Sequence, residues 1–170
     1  NETDDIFDRK LQLGLKFQFN YENSDNPLIP TSGTKFNSSL GWEKDVLGDN
    51  INFAKLNVSS SFYYSLDKRQ FFTLALRLGT THNWGNFQFY DGAILGGSAN
   101  GSQSTIRGYR AERFYGNTSF FQNSELRIKL FSSTNRIMPF TLGMHGGYDL
   151  GRVWIDEQDS EKWHQGYGGG

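Results

Sequence analysis

The residues with reactive side chains are few and scattered. Cysteine is absent, which removes both disulfides and thiolate metal sites. The three histidines, His82, His145 and His164, lie far apart in sequence. Neighbouring strands could bring His145 and His164 together, but no spaced acid completes a ligand set, so no metal is expected. Glu2, Asp4, Asp5 and Asp8 crowd the first residues in a spacing that matches no calcium loop, and a solvated loop is expected there. Neither G-x-S-x-G nor H-E-x-x-H occurs. The glycine groups at 96–97 and 166–170 lack the strand–loop–helix setting and the lysine of a phosphate loop. This region is therefore expected to be non-enzymatic, with no catalytic residue and no cofactor.

The charged residues have a different order in them, which is parity. Residues 11–21 read LQLGLKFQFNY, with Leu11, Leu13, Leu15, Phe17, Phe19 and Tyr21 on one parity and Lys16 among the polar residues of the other. Phe36, Leu40 and Trp42 oppose Lys35, Asn37 and Ser39 in the same way. The pattern returns as Leu56, Val58, Phe62 and Tyr64 against Lys55, Asn57 and Ser59, then as Phe72, Leu74, Leu76 and Leu78 against Arg77. Later, Phe120, Leu126, Ile128 and Leu130 oppose Glu125, Arg127 and Lys129, and Phe140, Leu142, Met144 and Tyr148 oppose His145 and Asp149. Period two means strands with one apolar and one polar face. These runs exceed the usual strand and suit the tilted length that crosses a bilayer. Six complete strands and the opening of a seventh, at GYGGG, are expected in an all-β, antiparallel chain.

The connections alternate in kind. DNPLIPTSG (residues 25–33), LDKRQ and SSTNR are short. Residues 85–115 form a long polar, glycine-rich stretch, and DEQDSEKWH is also polar; a loop as long as 85–115 tends to be functional. Short turns at one end and long loops at the other is how outer-membrane barrels are built. Trp42, Trp84, Trp154 and Trp163, with Tyr21, Tyr90 and Tyr148, are placed near strand ends, as interfacial aromatics would be. No run of apolar residues is long enough for a membrane-crossing helix. The start, NETDDIFDRK, is not a signal peptide, so an export signal is expected upstream. The net charge of −1 gives no pull toward nucleic acid. Alternation alone leaves two architectures open: a soluble sheet-based binding module with a solvated polar face, or a membrane barrel whose polar face lines a lumen.

The stretch LGGSANGSQSTIRGYRAERFYGNTSFFQNSELRIKLF, followed by GGYDLGRVW at 146–154, is more specific. Ile106-Arg107-Gly108-Tyr109, a downstream Glu125-Leu126-Arg127 and the Asp149 strand, in that order, resemble the C-terminal barrel of the bacterial surface-antigen family. DNPLIPTSG is similar to a periplasmic turn of that family. The resemblance covers nearly the whole chain. It implies an antiparallel transmembrane β-barrel, normally of about sixteen strands, of which residues 1–170 are part, as a C-terminal domain. By the same resemblance, the first and closing strands of the full barrel are expected to lie outside residues 1–170. It also implies that the 85–115 loop folds into the lumen, where Arg107 pairs with Glu125 and Asp149. A guanidinium suits that pairing, because its donors form a fixed fork. Gly108 would permit positive φ, and Tyr109 would pack on the wall with its hydroxyl satisfied.

By the same resemblance, the expected activity is assembly of client β-barrels in the bacterial outer membrane, or translocation of polypeptide across it. The implied partners are outer-membrane lipid and lipopolysaccharide, client polypeptides or a passenger domain, and accessory lipoproteins. A second reading follows from a likeness to Bacteroidetes-type barrels, namely an anchor or display device for an upstream metallophosphoesterase-like hydrolase.

Overall fold

The computed structural model describes residues 11–46, 51–97, 104–133, 136, 138, 140–156 and 162–170. The acidic group at residues 2–8 lies outside these residues. The long alternating runs become long strands: β1 (Gln12–Ser24), β2 (Gly33–Asp45), β3 (Asn52–Ser65), β4 (Phe72–Asn86), β7 (Thr118–Ser133), β8 (Phe140–Trp154) and a shorter β9 (His164–Gly169). Between β4 and β7 lie a 3-10 turn at Phe89–Asp91 and two three-residue strands, β5 (Ala93–Leu95) and β6 (Phe114–Gly116). The large sheet has the order β1-β2-β3-β4-β7-β8-β9, every pair antiparallel, and β5 and β6 form a separate hairpin. The sheet does not close on itself within the described residues.

The register keeps the two faces in phase from strand to strand. Tyr21 pairs with Phe36, Phe17 with Leu40 and Leu15 with Trp42, while Lys16 meets Gly41 and Gln18 meets Ser39. Leu74 pairs with Leu126 on the apolar face, and Ala75 with Glu125 on the polar face. A shift of one residue would exchange the faces, so the alternation itself fixes this pairing. One local exception sits in β7, where the register slips between Lys129 and Phe131. Leu130 is the extra residue, and beyond it Phe131 rather than an even-numbered residue pairs with Leu142. Strict period two predicts no such step.

Burial is inverted relative to a soluble sheet. On the apolar face Leu15, Phe17 and Phe19 are 61%, 68% and 60% exposed. The buried residues lie instead on and under the other face: Leu95, Ile106 and Asp149 at 0% and Ser119 at 1%. The cover comes from the β4–β7 connection, whose β5 strand contacts β4, β7 and β8.

Two expectations about positions need correction. Tyr148 is not near a strand end: it sits inside β8, opposite Tyr167. His145 and His164 do lie on neighbouring strands, but His164 is opposite Gly151, and His145 exchanges backbone hydrogen bonds with Gly170. The register therefore holds the two rings well apart along the strands. Among the described residues no cluster of His, Asp or Glu could hold a metal.

Candidate functional site

The β4–β7 connection is organised rather than loose. At its foot, Lys55 Nζ donates to the carbonyls of Asp91 (2.8 Å) and Gly92 (3.3 Å), and Asn83 Nδ2 donates to Asp91 O (3.1 Å). β5 and β6 then pair, with Ala93 opposite Gly116. Above them the Thr105 backbone N–H and hydroxyl both donate to Gly96 O (3.0 and 2.9 Å). This turn directs residues 104–109 onto the polar face.

Arg107 is where connection and sheet meet. Its backbone N–H donates to Asp149 Oδ2 (2.7 Å), its Nε to the same oxygen (2.8 Å) and its Nη2 to Asp149 Oδ1 (2.6 Å). Nη1 donates to Glu125 Oε2 at 2.9 Å. Glu125 Oε1 in turn accepts from Arg127 Nε at 2.6 Å. The register explains the geometry. Glu125 is opposite Gly147, and Asp149 lies two residues further along β8 on the same face, opposite Asn123. The guanidinium occupies the gap that the absent side chain of Gly147 leaves between the carboxylates; a Cβ built there would overlap Nη1, Nη2 and Cζ. Asp149 is completely buried, yet three donors from one residue satisfy it. Removing one partner of such a pair strands a buried charge, at a cost of about 3–5 kcal/mol.

The other motif residues serve the same seating. Ile106 is fully buried with Leu95, Phe121 and Val153. Its Cδ1 lies 2.7 Å from where a Cβ on Gly151 would be, and its Cγ2 lies 2.9 Å from one on Gly166. Gly108 has φ +82° with nothing near its missing side chain, so glycine is required there by the backbone and not by crowding. The Tyr109 ring packs against Phe114 (5.4 Å between centroids) and His164 (5.9 Å).

Sequence reasoning missed the surface on which the motif rests. Gly147, Gly151, Gly166 and Gly168 together strip side chains from the part of β8 and β9 beneath residues 106–107. Phe121 and Val153 are apolar residues on the polar parity, and they supply the patch that receives Leu95 and Ile106. Those two breaks in alternation, beside a run of glycines at alternate positions, were the signal available.

A long-stranded antiparallel sheet with an exposed apolar face, and a connection packed on its polar face, defines the wall of a transmembrane β-barrel. The family model described as the Omp85 superfamily domain matches residues 4–170, and the chain belongs to that superfamily, the surface-antigen barrels of the bacterial outer membrane. Among solved structures, BamA from Haemophilus ducreyi lacking POTRA domains 1–3 matches with a TM-score of 0.66 and 19% identity. The match covers 84% of this chain and 30% of that one, so the chain spans about a third of that relative. No curated protein matches the sequence. Outer-membrane barrel membership sets aside the soluble binding module.

Proposed function

We propose that this chain is part of a barrel that inserts client β-barrel polypeptides into the outer membrane or passes polypeptide across it, without carrying out covalent chemistry in this region. Superfamily membership supports the general reading, and the observation that carries the specific one is the seat of Arg107. A connection held by two carboxylates and a glycine floor is a brace across the lumen: it fixes the barrel interior while an edge of the barrel templates strands of the client. In this reading residues 85–115 are the inward-folded loop, Ile106, Arg107, Gly108 and Tyr109 are its anchor, and Glu125 and Asp149 are the anchor's partners on the lumen wall. Lipid and lipopolysaccharide surround the apolar face, and accessory lipoproteins belong to the periplasmic end.

The test is Arg107→Ala in the full-length protein, expressed as the sole copy. The expected result is a barrel that still folds, as read by heat-modifiable migration on gels, with several-fold lower levels of other outer-membrane barrels. Client levels equal to wild type would contradict the proposal.

A further inference from the structure

A cavity of about 590 Å³ lies on the polar face, between the seated connection and the β1–β2 turn. Its charged lining is unequal: Lys35, Arg77, Arg107 and Arg127 face it with Glu125. Three of these cations are satisfied. Lys35 pairs with Glu22 at 2.8 Å, Arg127 with Glu125 at 2.6 Å, and Arg107 with both Glu125 and Asp149. Arg77 is different. It donates to Ser104 O at 3.3 Å and lies 4.7 Å from the centre of the Phe121 ring, and no carboxylate of the described residues is within ion-pair distance. Residues 98–103, the part of the connection nearest in sequence to Ser104, read SANGSQ and contain no acid. The cavity wall beside Arg77 also carries Asn37, Ser59 and Ser61, whose side chains make no hydrogen bond among the described residues.

A guanidinium taken partly out of water, touching one carbonyl and a ring face and feeling the Asp149 charge only from a distance, has no carboxylate in direct contact, its preferred partner. Free hydroxyls and an amide next to it can satisfy backbone groups. Leu28, Pro30 and Tyr63 supply apolar wall on the same cavity. The volume falls within the roughly 300–1,000 Å³ of pockets that hold organic ligands, far above the needs of a single inorganic ion. We propose that this cavity binds an acidic side chain of an extended polypeptide, with Arg77 as the cation that receives the carboxylate. The inference deepens the reading of the barrel as a polypeptide-handling machine and rests on it. It gives that machine a preference for acidic segments, and binding should weaken as salt rises.

The test uses full-length protein in non-ionic detergent at low salt, with fluorescein-labelled tetraglutamate followed by polarisation. Binding is expected in the wild type, weakened about tenfold or more in Arg77→Gln and largely kept in Arg77→Lys, as for a charge-assisted hydrogen bond. Inorganic phosphate at matched ionic strength should not displace the peptide. Three results would overturn the site: no binding in the wild type, equal binding in Arg77→Gln with the barrel folded, or displacement by phosphate alone. Depletion of the protein in cells separates the two levels. Loss of client assembly without peptide binding overturns the site and leaves the assembly reading standing; peptide binding with normal assembly supports the site and sinks that reading.

Discussion

Arg107 owes its position to a missing side chain as well as to its two carboxylates. Glu125 and Asp149 supply the charge, but the guanidinium can lie between them only because residue 147 has no Cβ. Gly147→Ala should therefore act like loss of the arginine itself. We expect it to lower the thermal unfolding midpoint of the full-length barrel in detergent by an amount comparable to Asp149→Asn, both reflecting an ion pair worth about 3–5 kcal/mol to break. Gly146→Ala is the control. Its Cβ would meet nothing within 4 Å on the opposite face, so it should leave the midpoint unchanged. Equal effects of the two substitutions would show that β8 merely dislikes alanine. The residue types of the anchor were legible in the motif, whereas the floor was not. A glycine in a strand signals close approach of something, but the pairing of β8 with β9 is needed before Gly147, Gly166 and Gly168 become one surface.

The strands were legible because a bilayer on one side and water on the other impose period two along their whole length. Elements that answer to other constraints were hidden. β5 and β6 are three residues each and exist only through mutual pairing within the connection, too short for any period to register. The Leu130 bulge depends on the neighbour's register, and Phe121 and Val153 break parity because they face the connection and not water. The β1–β2 turn is a further built element. Asp25 Oδ1 accepts from the backbone N–H groups of Thr31 (2.9 Å) and Ser32 (3.1 Å), and Asn26 Oδ1 accepts from those of Leu28 (2.9 Å) and Ile29 (3.1 Å). Slight desolvation acts to raise the pKa of the exposed Asp25, but it is outweighed by the Thr31 hydroxyl and the Ser32 and Thr31 backbone N–H groups, so the carboxyl titrates below its ordinary value. A lowered folded pKa stabilises the turn above the unfolded value, near 3.9, and that stability is lost as pH falls through the folded pKa. Hydrogen exchange at Thr31 and Ser32 should therefore show protection, corrected for intrinsic rate, that is constant at neutral pH and collapses below about pH 4. Asp25→Asn should abolish that step; an unchanged step would assign it to another group.

At the scale of the molecule, the strands turn most of their large apolar residues outward, and a buried apolar cluster forms where the connection meets the sheet. The sheet supplies a rigid polar wall, and the connection brings its own small core of Leu95 and Ile106 to it. Seating is then a property of the whole arrangement, and it can be read without disturbing the anchor. Ser119 is 1% exposed on the face that the connection covers, and this region has no cysteine. Ser119→Cys, nearly the same size, can report cover through its rate of labelling by a membrane-impermeant maleimide, in full-length protein without other reactive cysteines. The account predicts a protected thiol when Arg107 is present and labelling about tenfold faster or more when Arg107→Ala is added, with the barrel still heat-modifiable. Equal protection with and without Arg107 would contradict the claim that this arginine holds the connection on the wall.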